Sequence, residues 1–167
     1  MPTNIHEDQN VMVQVDVQNM YYSAKNLYDT KVNFKKLLGK AVAGRKLKRA
    51  IAYVIQADTP DESNFFKALR NIGFEVNIKQ LKEFYGGQKK GDWDMGMAID
   101  AIKMAPKMDT LVLVTGDGDF KSLVEHLQAR GVRVEVMSFG RSTAQDLKES
   151  ANKFIDMDHD KENYLID

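Results

Sequence analysis

Four aspartates of this chain lie at the ends of predicted strands or at the start of a predicted helix. Asp16 follows the strand in VQVDVQN, and Asp94 lies at the helix start in KKGDWDMG. Asp117 and Asp119 share the short loop of LVTGDGDF. Carboxylate oxygens are the ligands that hard divalent cations prefer. If the fold brings these side chains together, they form an oxygen-rich metal site, which makes metal-assisted phosphate chemistry the leading hypothesis.

Each aspartate also has a purely structural interpretation. Asp16 and Asp119 immediately precede predicted helices, where aspartate is a favoured N-cap. Asp117 can make an Asx-turn between two glycines, and Asp94 gains from the helix dipole at a helix start. Unpaired carboxylates brought close together repel and raise each other's pKa, so a cation is the natural way to keep them ionised. Four acids at such positions therefore favour a shared metal site.

Two further features strengthen the metal hypothesis. In the GDGDF loop, Gly116 and Gly118 let the backbone turn sharply and approach a ligand closely. Asn19 comes three residues after Asp16, on the same side of the first turn of the predicted helix. Its amide can hold a phosphate oxygen or orient a metal-bound water, or it can simply face solvent.

Apolar β-branched runs alternate with stretches of helical period along the chain. Strands are predicted at residues 11–15, 51–55, 74–78, 111–115 and 132–139, and helices at residues 17–27, 34–44, 62–71, 93–104, 120–129 and 143–151. A glycine-bearing polar loop, YGGQKKG, precedes the fourth helix. Parallel strands require crossover connections, and these are right-handed. The pattern predicts an α/β fold, with a mostly parallel central sheet and helices on both faces.

Such a sheet binds ligands at the carboxyl ends of its strands, near the point where the strand order reverses. Asp16, Thr115, Asp117 and Asp119 all follow a predicted strand. Asp94 reaches the same region by another route, because it begins the inward stripe of its helix. The apolar members of that stripe are Met97, Ala98, Ala101, Ile102 and Ala105.

Length and composition limit the classes of protein to which the chain can belong. Its 167 residues suit one domain, with 43% apolar and 29% charged residues. Lys plus Arg and Asp plus Glu are both 24, so net charge gives no global attraction to a polyanion. The absence of cysteine excludes disulfides, thiolate zinc sites and thiol nucleophiles. No signal sequence or membrane-spanning run is present, which predicts a cytoplasmic protein without a membrane partner.

Several side chains near the predicted crevice can contact a substrate. Thr115 ends a strand, Arg141 follows another, and Lys89 with Lys90 precedes the Asp94 helix. These residues can face phosphates, although a solvated surface is the alternative for the three basic side chains.

Three aromatic residues, Tyr21, Tyr22 and Trp93, can stack on unpaired bases, a sequence-tolerant way to hold single strands. Packing against the sheet is the alternative for each of them.

The chain resembles the NYN domains, and in particular the LabA-like branch of the PIN-like nuclease superfamily. The resemblance is carried by VQVDVQNMYYSA, KKGDWDMGMAIDAI, LVLVTGDGDFKSLVEHLQARGVRVEV and LKESANKFIDM, in the family's order over residues 11–158. It implies a PIN-like three-layer α/β/α sandwich at residues 11–158, with a flexible segment at residues 1–10 and a charged tail at residues 159–167. Relatives often carry A-D-x-F near the end, where this chain has Asn152, so one carboxylate of that pattern is missing.

The resemblance also implies an acid cluster that binds Mg²⁺ or Mn²⁺ for ribonuclease activity. By motif position, its metal ligands and catalytic acids are Asp16, Asp94, Asp117 and Asp119, and its asparagine is Asn19. We therefore expect a hydrolase that cleaves RNA, in single-stranded form. The alternatives are a non-catalytic RNA-binding or regulatory module that keeps the acidic pocket, and a phosphatase for a small phosphate ester. The sequence leaves open a homo-oligomer and the number of metal ions.

Overall fold

The structure, a computed structural model, describes residues 5–80, 82–83, 89–90 and 92–166. For residues 5–6, 82–83 and 89–90 it describes only the backbone. The strands are β1 Asn10–Asp16, β2 Lys46–Gln56, β3 Glu75–Gln80, β4 Lys82–Glu83, β5 Lys89–Lys90, β6 Thr110–Val114, β7 Arg133–Ser138 and β8 Lys153–Asp156. The helices are α1 Val17–Tyr28, α2 Phe34–Val42, α3 Glu62–Ile72, α4 Asp94–Met104, α5 Lys121–Ala129 and α6 Gln145–Ser150.

Six strands form one parallel sheet in the order β3-β2-β1-β6-β7-β8. The chain runs from β1 outward to β3, then returns to the centre and continues outward from β6 to β8. The order therefore reverses between β1 and β6, and the two connections leave a crevice at the carboxyl ends of these strands. Asp16 ends β1, and Thr115 follows β6 directly.

Alternation along the strands divides the core between the two faces of the sheet. Val11, Val13 and Val15 of β1 are completely buried in the cluster that includes residues of α1, α2 and α3. Met12 belongs to the opposite cluster, which includes residues of α4, α5 and α6. The predicted α/β/α sandwich with a parallel central sheet is thereby confirmed.

The elements differ from the sequence prediction in three places. β2 begins at Lys46, five residues earlier than predicted. Its first residues are exposed and lack the apolar run by which a buried strand is predicted. The short run Lys153–Asp156, for which no strand is predicted, forms the outer strand β8. In α4, Ile102 is 38% exposed, contrary to the prediction. At 3.6 residues per turn it lies about 80° around the helix from Asp94, at the rim of the inward stripe.

The last residues pack against the domain. Tyr164 is only 3% exposed and belongs to the core cluster on the α1 side of the sheet. Leu165 forms a β-bridge with Val32, and the amide of Ile166 donates to the carbonyl of Lys31. At the other end, residues Ile5–Asp8 form a 3-10 turn before β1. None of the helices in the described part of the chain is long and apolar enough to cross a bilayer.

Candidate functional site

The structure brings three of the four predicted acids into one cluster at the crevice. Carboxylate oxygens of Asp94, Asp117 and Asp119 lie within 4.8 Å of one another. Hard cations bind oxygen at about 2.0–2.6 Å, so two ligands of one ion stand at most about 5.2 Å apart. The donor type and the spacing of the cluster therefore fit one hard divalent cation. Asp16 lines the same cleft as Asp94 and Asp117.

Thr115 links the two strand ends that meet at the crevice. Its hydroxyl donates to Oδ2 of Asp16 at 3.2 Å and accepts the amide of Asp117 at 3.2 Å. The other carboxylate oxygen of Asp16 accepts the amide of Asn19 and caps α1. Thr115 is itself completely buried. It orients two acids, and this placement does not support the substrate contact expected from the sequence.

Asn19 ties α1 to the GDGDF loop. Its side-chain oxygen accepts the amide of Gly116 at 2.9 Å. Because the side-chain oxygen is already hydrogen-bonded, the side-chain nitrogen is the atom of Asn19 that can donate to a ligand in the cleft. Asn19 thus does not merely face solvent.

The GDGDF loop is held in place from both sides. Asp117 caps a 3-10 turn at Gly118–Phe120, and its Oδ1 accepts the amide of Asp119 at 2.9 Å. The alternative interpretation of Asp119 as an N-cap does not hold, because this short turn precedes α5 and places Asp119 inside it as an exposed residue. On the far side, the carbonyl of Gly116 accepts the amide of Ala144 at 3.0 Å.

Buried hydrogen bonds fix α4, and with it Asp94, against the sheet. Gln14 of β1 donates from Nε2 to the carbonyl of Met97 and to the hydroxyl of Tyr53, both at 2.9 Å. Tyr53 in turn donates to Asp100 of α4 at 2.8 Å. Trp93, just before the helix, donates from its indole to the carbonyl of Val54. These bonds position the start of α4, and sequence periodicity gave no sign of the role of Gln14.

A fifth acid, Asp92, also lines the cleft and was missed by the sequence prediction. Its Oδ1 accepts the amide of Asp94 at 3.3 Å. Its negative charge adds to the rise in the pKa of both Asp16 and Asp94. The available signal was its position two residues before Asp94, in the tripeptide DWD.

The electrostatics of the cleft suit a cation. Burial raises the pKa of Asp16 to about 6, against the opposing effect of its hydrogen bonds from Asn19 and Thr115. Burial and then the neighbouring charge of Asp117 raise the pKa of Asp94 to about 7. Both shifts report that negative charge is costly here in the absence of a counterion. A bound divalent cation would remove that cost.

We expect the metal-free protein to become less stable as the pH rises from about 4 to about 7. Asp16 and Asp94 hold protons more tightly in the folded state than in the unfolded state, where the pKa of aspartate is about 3.9. The folded state therefore binds more protons in this window, and the free energy of unfolding falls as they leave. Metal ions bind the deprotonated carboxylates, so Mn²⁺ should offset the loss.

Urea denaturation at about pH 5 and about pH 8, in EDTA and then in Mn²⁺, measures this effect. Asp94→Asn is the matched variant, because it removes one of the two raised groups and should flatten the metal-free dependence. Equal pH dependence in both proteins would contradict the prediction.

The predicted basic contacts have different placements. Arg141 is exposed beside the cleft residue Ser142, and its guanidinium lies 3.5 Å from Asp158 and 5.2 Å from the ring centre of Tyr28. The side chains of Lys89 and Lys90 lie outside the described part of the structure. Asn152, at the position where relatives often carry aspartate, accepts the amide of Val134 near the start of β7. Val134 lies at the amino end of β7, whereas the cleft lies at the carboxyl ends of the strands. A carboxylate at position 152 would therefore not line the cleft.

The three aromatic candidates separate into two groups. Trp93 packs edge-on against Tyr53 with ring centres 5.2 Å apart, in agreement with the packing interpretation. Tyr21 and Tyr22 are 44% and 53% exposed, so packing against the sheet does not account for them. Of these two, Tyr22 lines the acidic cleft, and Tyr21 lies in a different surface groove with Lys25.

A doubly wound α/β/α sandwich with clustered acids at its switch point defines a class of domains in which a bound cation would sit at the carboxyl ends of the central strands. Residues 10–158 match the NYN domain family, and the chain belongs to that family. It is 30% identical over 118 residues to the Low amplitude and bright protein LabA of Synechococcus elongatus, which makes it LabA-like. That match covers 67% of this chain and 63% of LabA, so the chain spans less than two thirds of this curated relative.

A solved structure closely similar over the whole chain is a protein of unknown function from Vibrio parahaemolyticus RIMD 2210633. It superposes with a TM-score of 0.88 at 35% identity, covering 99% of this chain and 100% of the other. The two proteins therefore share the complete fold.

Proposed function

We propose that this protein is a metal-dependent ribonuclease that hydrolyses phosphodiester bonds of RNA. The observation that carries the proposal is the meeting of carboxylate oxygens of Asp94, Asp117 and Asp119 within 4.8 Å. Asp94 and Asp117 also line a cleft at the switch point of the sheet. Membership of the NYN family over residues 10–158 supports RNA as the substrate, because the motifs of this chain resemble those of the ribonucleases in that family. The acids themselves favour chemistry over simple RNA binding, since clustered carboxylates repel a polyanion unless a cation lies between them.

We propose Mg²⁺ or Mn²⁺ as the cation, held by Asp94, Asp117 and Asp119, with Asp16 as the fourth acid. When bound, the ion would lower the pKa of a water molecule and offset charge on the phosphoryl oxygens. In this proposal the amide nitrogen of Asn19 donates to a phosphoryl oxygen, since its side-chain oxygen already accepts the amide of Gly116. The hydroxyl of Thr115 fixes the position of Asp16 relative to the amide of Asp117. The acids therefore need little reorganisation when the substrate binds.

Arg141 is our candidate for a phosphate contact outside the acid cluster. Its ion pair with Asp158 is solvent-exposed on the arginine side, and exposed ion pairs stabilise a protein only weakly. A phosphate of the RNA can therefore take the place of Asp158 at little cost. Lys89 and Lys90 stay candidates for the same role on the strength of the sequence.

The test is a cleavage assay on labelled single-stranded RNA, with protein stripped by EDTA and then supplied with Mg²⁺ or Mn²⁺. We expect cleavage only with added metal, and its loss in Asp94→Asn. Asp61→Asn is the control, because Asp61 is an exposed acid at the start of α3 that makes no capping hydrogen bond with its side chain. Tight Mn²⁺ binding without cleavage of any RNA would instead favour the non-catalytic regulatory or RNA-binding module.

A further inference from the structure

The acid cluster occupies only part of a longer cleft. The cleft has a volume of about 410 Å³ and extends along α1 as far as Asn26 and Leu27, with Ser142 on its border. Sites for small organic ligands start at about 300 Å³, whereas a single cation needs far less room. The cleft therefore has space for a nucleotide-sized group beside the acids.

One wall of this extension is a row of side chains on the same face of α1. Gln18, Tyr22 and Asn26 are four residues apart, so they line up along the helix over about 12 Å. A second row, nearer the sheet, contains Asn19, Ser23 and Leu27, of which Ser23 is buried. The outer row starts beside Asp16 and leads away from the acids.

The outer row is uncharged, in contrast to the acids at its start. It consists of one aromatic ring between two amides, and the hydroxyl residue Ser142 also lines the cleft. An aromatic ring binds the face of any base, and the amides of Gln18 and Asn26 can each donate and accept hydrogen bonds at a base edge or a ribose hydroxyl. A basic peptide would find no carboxylate along this row, and a second phosphate would find no cation in it. The chemistry matches a nucleobase with its ribose.

We infer that the row Gln18–Tyr22–Asn26 of α1 is a subsite for an unpaired nucleobase next to the scissile phosphate, with Tyr22 as its stacking surface. The inference rests on the proposed function and deepens it, because it names the residues that would bind a base of the single-stranded RNA. In a duplex both faces of each base are covered by its neighbours, so no base face is available to Tyr22. Tyr22 is 53% exposed and meets the ring of Tyr21 edge to face, so its ring can receive a base without rearrangement of the core.

The structure supplies a matched control one residue away. Tyr21 has the same side chain, lies on the same helix and is similarly exposed at 44%, but it lines the separate groove with Lys25 and Asp29. Tyr21→Ala and Tyr22→Ala therefore each remove one tyrosine ring from α1, and only Tyr22 lines the cleft. The two rings meet edge to face with their centres 5.5 Å apart, so Tyr21→Ala measures the loss of that contact while the cleft keeps its aromatic ring. Tyr22→Phe keeps the ring and removes the hydroxyl.

The experiment compares these variants on fluorescein-labelled oligouridine RNA and on its duplex with oligoadenosine. Binding is followed by fluorescence anisotropy in Ca²⁺, and cleavage kinetics are followed in Mn²⁺. We expect Tyr22→Ala to weaken single-strand binding by about 5- to 150-fold and to raise KM with little change in kcat, because stacking is made equally in the ground and transition states. Tyr22→Phe should resemble the wild type, and Tyr21→Ala should weaken binding much less than Tyr22→Ala does, because it removes only an edge contact of the Tyr22 ring. Mn²⁺ affinity should be the same in all variants, and duplex binding should not depend on Tyr22.

Two results would overturn the inference, and they are distinguishable. If the wild type cleaves single-stranded RNA but Tyr22→Ala binds it as tightly as Tyr21→Ala does, the subsite is wrong and the proposed function stands. If the wild type with Mn²⁺ bound neither binds nor cleaves any single-stranded RNA, the proposed function fails and the inference fails with it.

Discussion

Replacing Asp117 with asparagine is expected to abolish metal-dependent cleavage of RNA and to leave the metal-free fold at least as stable as that of the wild type. Asparagine is nearly isosteric, and its side-chain oxygen can still accept the amide of Asp119 that caps the 3-10 turn. The charge of Asp117 raises the pKa of Asp94, so its removal relieves a repulsion in the metal-free protein. The same change removes one of three clustered ligands, and we expect cleavage to fall by at least about 100-fold.

Thermal denaturation in EDTA and cleavage in Mn²⁺ together separate the two interpretations of Asp117. A metal ligand predicts lost cleavage with an unchanged or higher melting temperature. A purely structural turn residue predicts lower stability with a proportionate effect on cleavage. Asp61→Asn, which removes the same charge from an exposed residue, should change neither measurement. An Asp117→Asn protein that melts markedly lower, alongside a wild type inert on every RNA, would contradict the nuclease assignment.

The fold was predictable because parallel sheets leave a strong local signature. Strands buried on both faces are continuous apolar runs, and LVLV of β6 is an example in which every residue is buried. Once the strands were placed, right-handed crossovers brought Asp16 and the GDGDF loop to one edge. What the local pattern lacks is information on exposed strand segments, so the first residues of β2 and the outer strand β8 were missed.

The candidate site was predictable where acids stand next to strand ends, and not where tertiary contacts decide. Gln14 is buried in β1 and contacts Met97, which lies 83 residues further along the chain. The bond depends on which face of α4 meets the sheet, and no local spacing encodes that choice. Thr115 was predicted to contact substrate because it follows a strand end. Its hydrogen bonds with Asp16 and with the amide of Asp117 depend on tertiary packing, which the local sequence does not encode.

The GDGDF loop is positioned by packing on the turn after β7 as much as by its own sequence. Gly116 is buried, its amide donates to Asn19, and its carbonyl accepts the amide of Ala144. A Cβ atom at Gly116 would lie 2.5 Å from the backbone oxygen of Ser142 and 3.2 Å from Cα of Thr143. These are main-chain atoms, so they cannot move aside by a change of rotamer. The glycine is required here for close approach of two backbones.

Gly116→Ala should consequently damage the site more than the fold. The backbone must shift to relieve the contact, at a cost to stability of about 1–3 kcal/mol. Because Asp117 is the next residue, the shift displaces a proposed metal ligand, and a displacement of about 1 Å can lower activity by about 100-fold.

Gly39→Ala is the control, because Gly39 lies in α2 with nothing within 4 Å of the added Cβ. Alanine there should stabilise the helix by about 0.5–1 kcal/mol. Mn²⁺ affinity and cleavage are measured well below both melting temperatures, so that every molecule compared is folded. If Gly116→Ala binds Mn²⁺ and cleaves RNA as Gly39→Ala does, the GDGDF loop does not owe its geometry to this packing, and the acids tolerate a looser arrangement than the hydrogen bonds of Asn19, Thr115 and Ala144 imply.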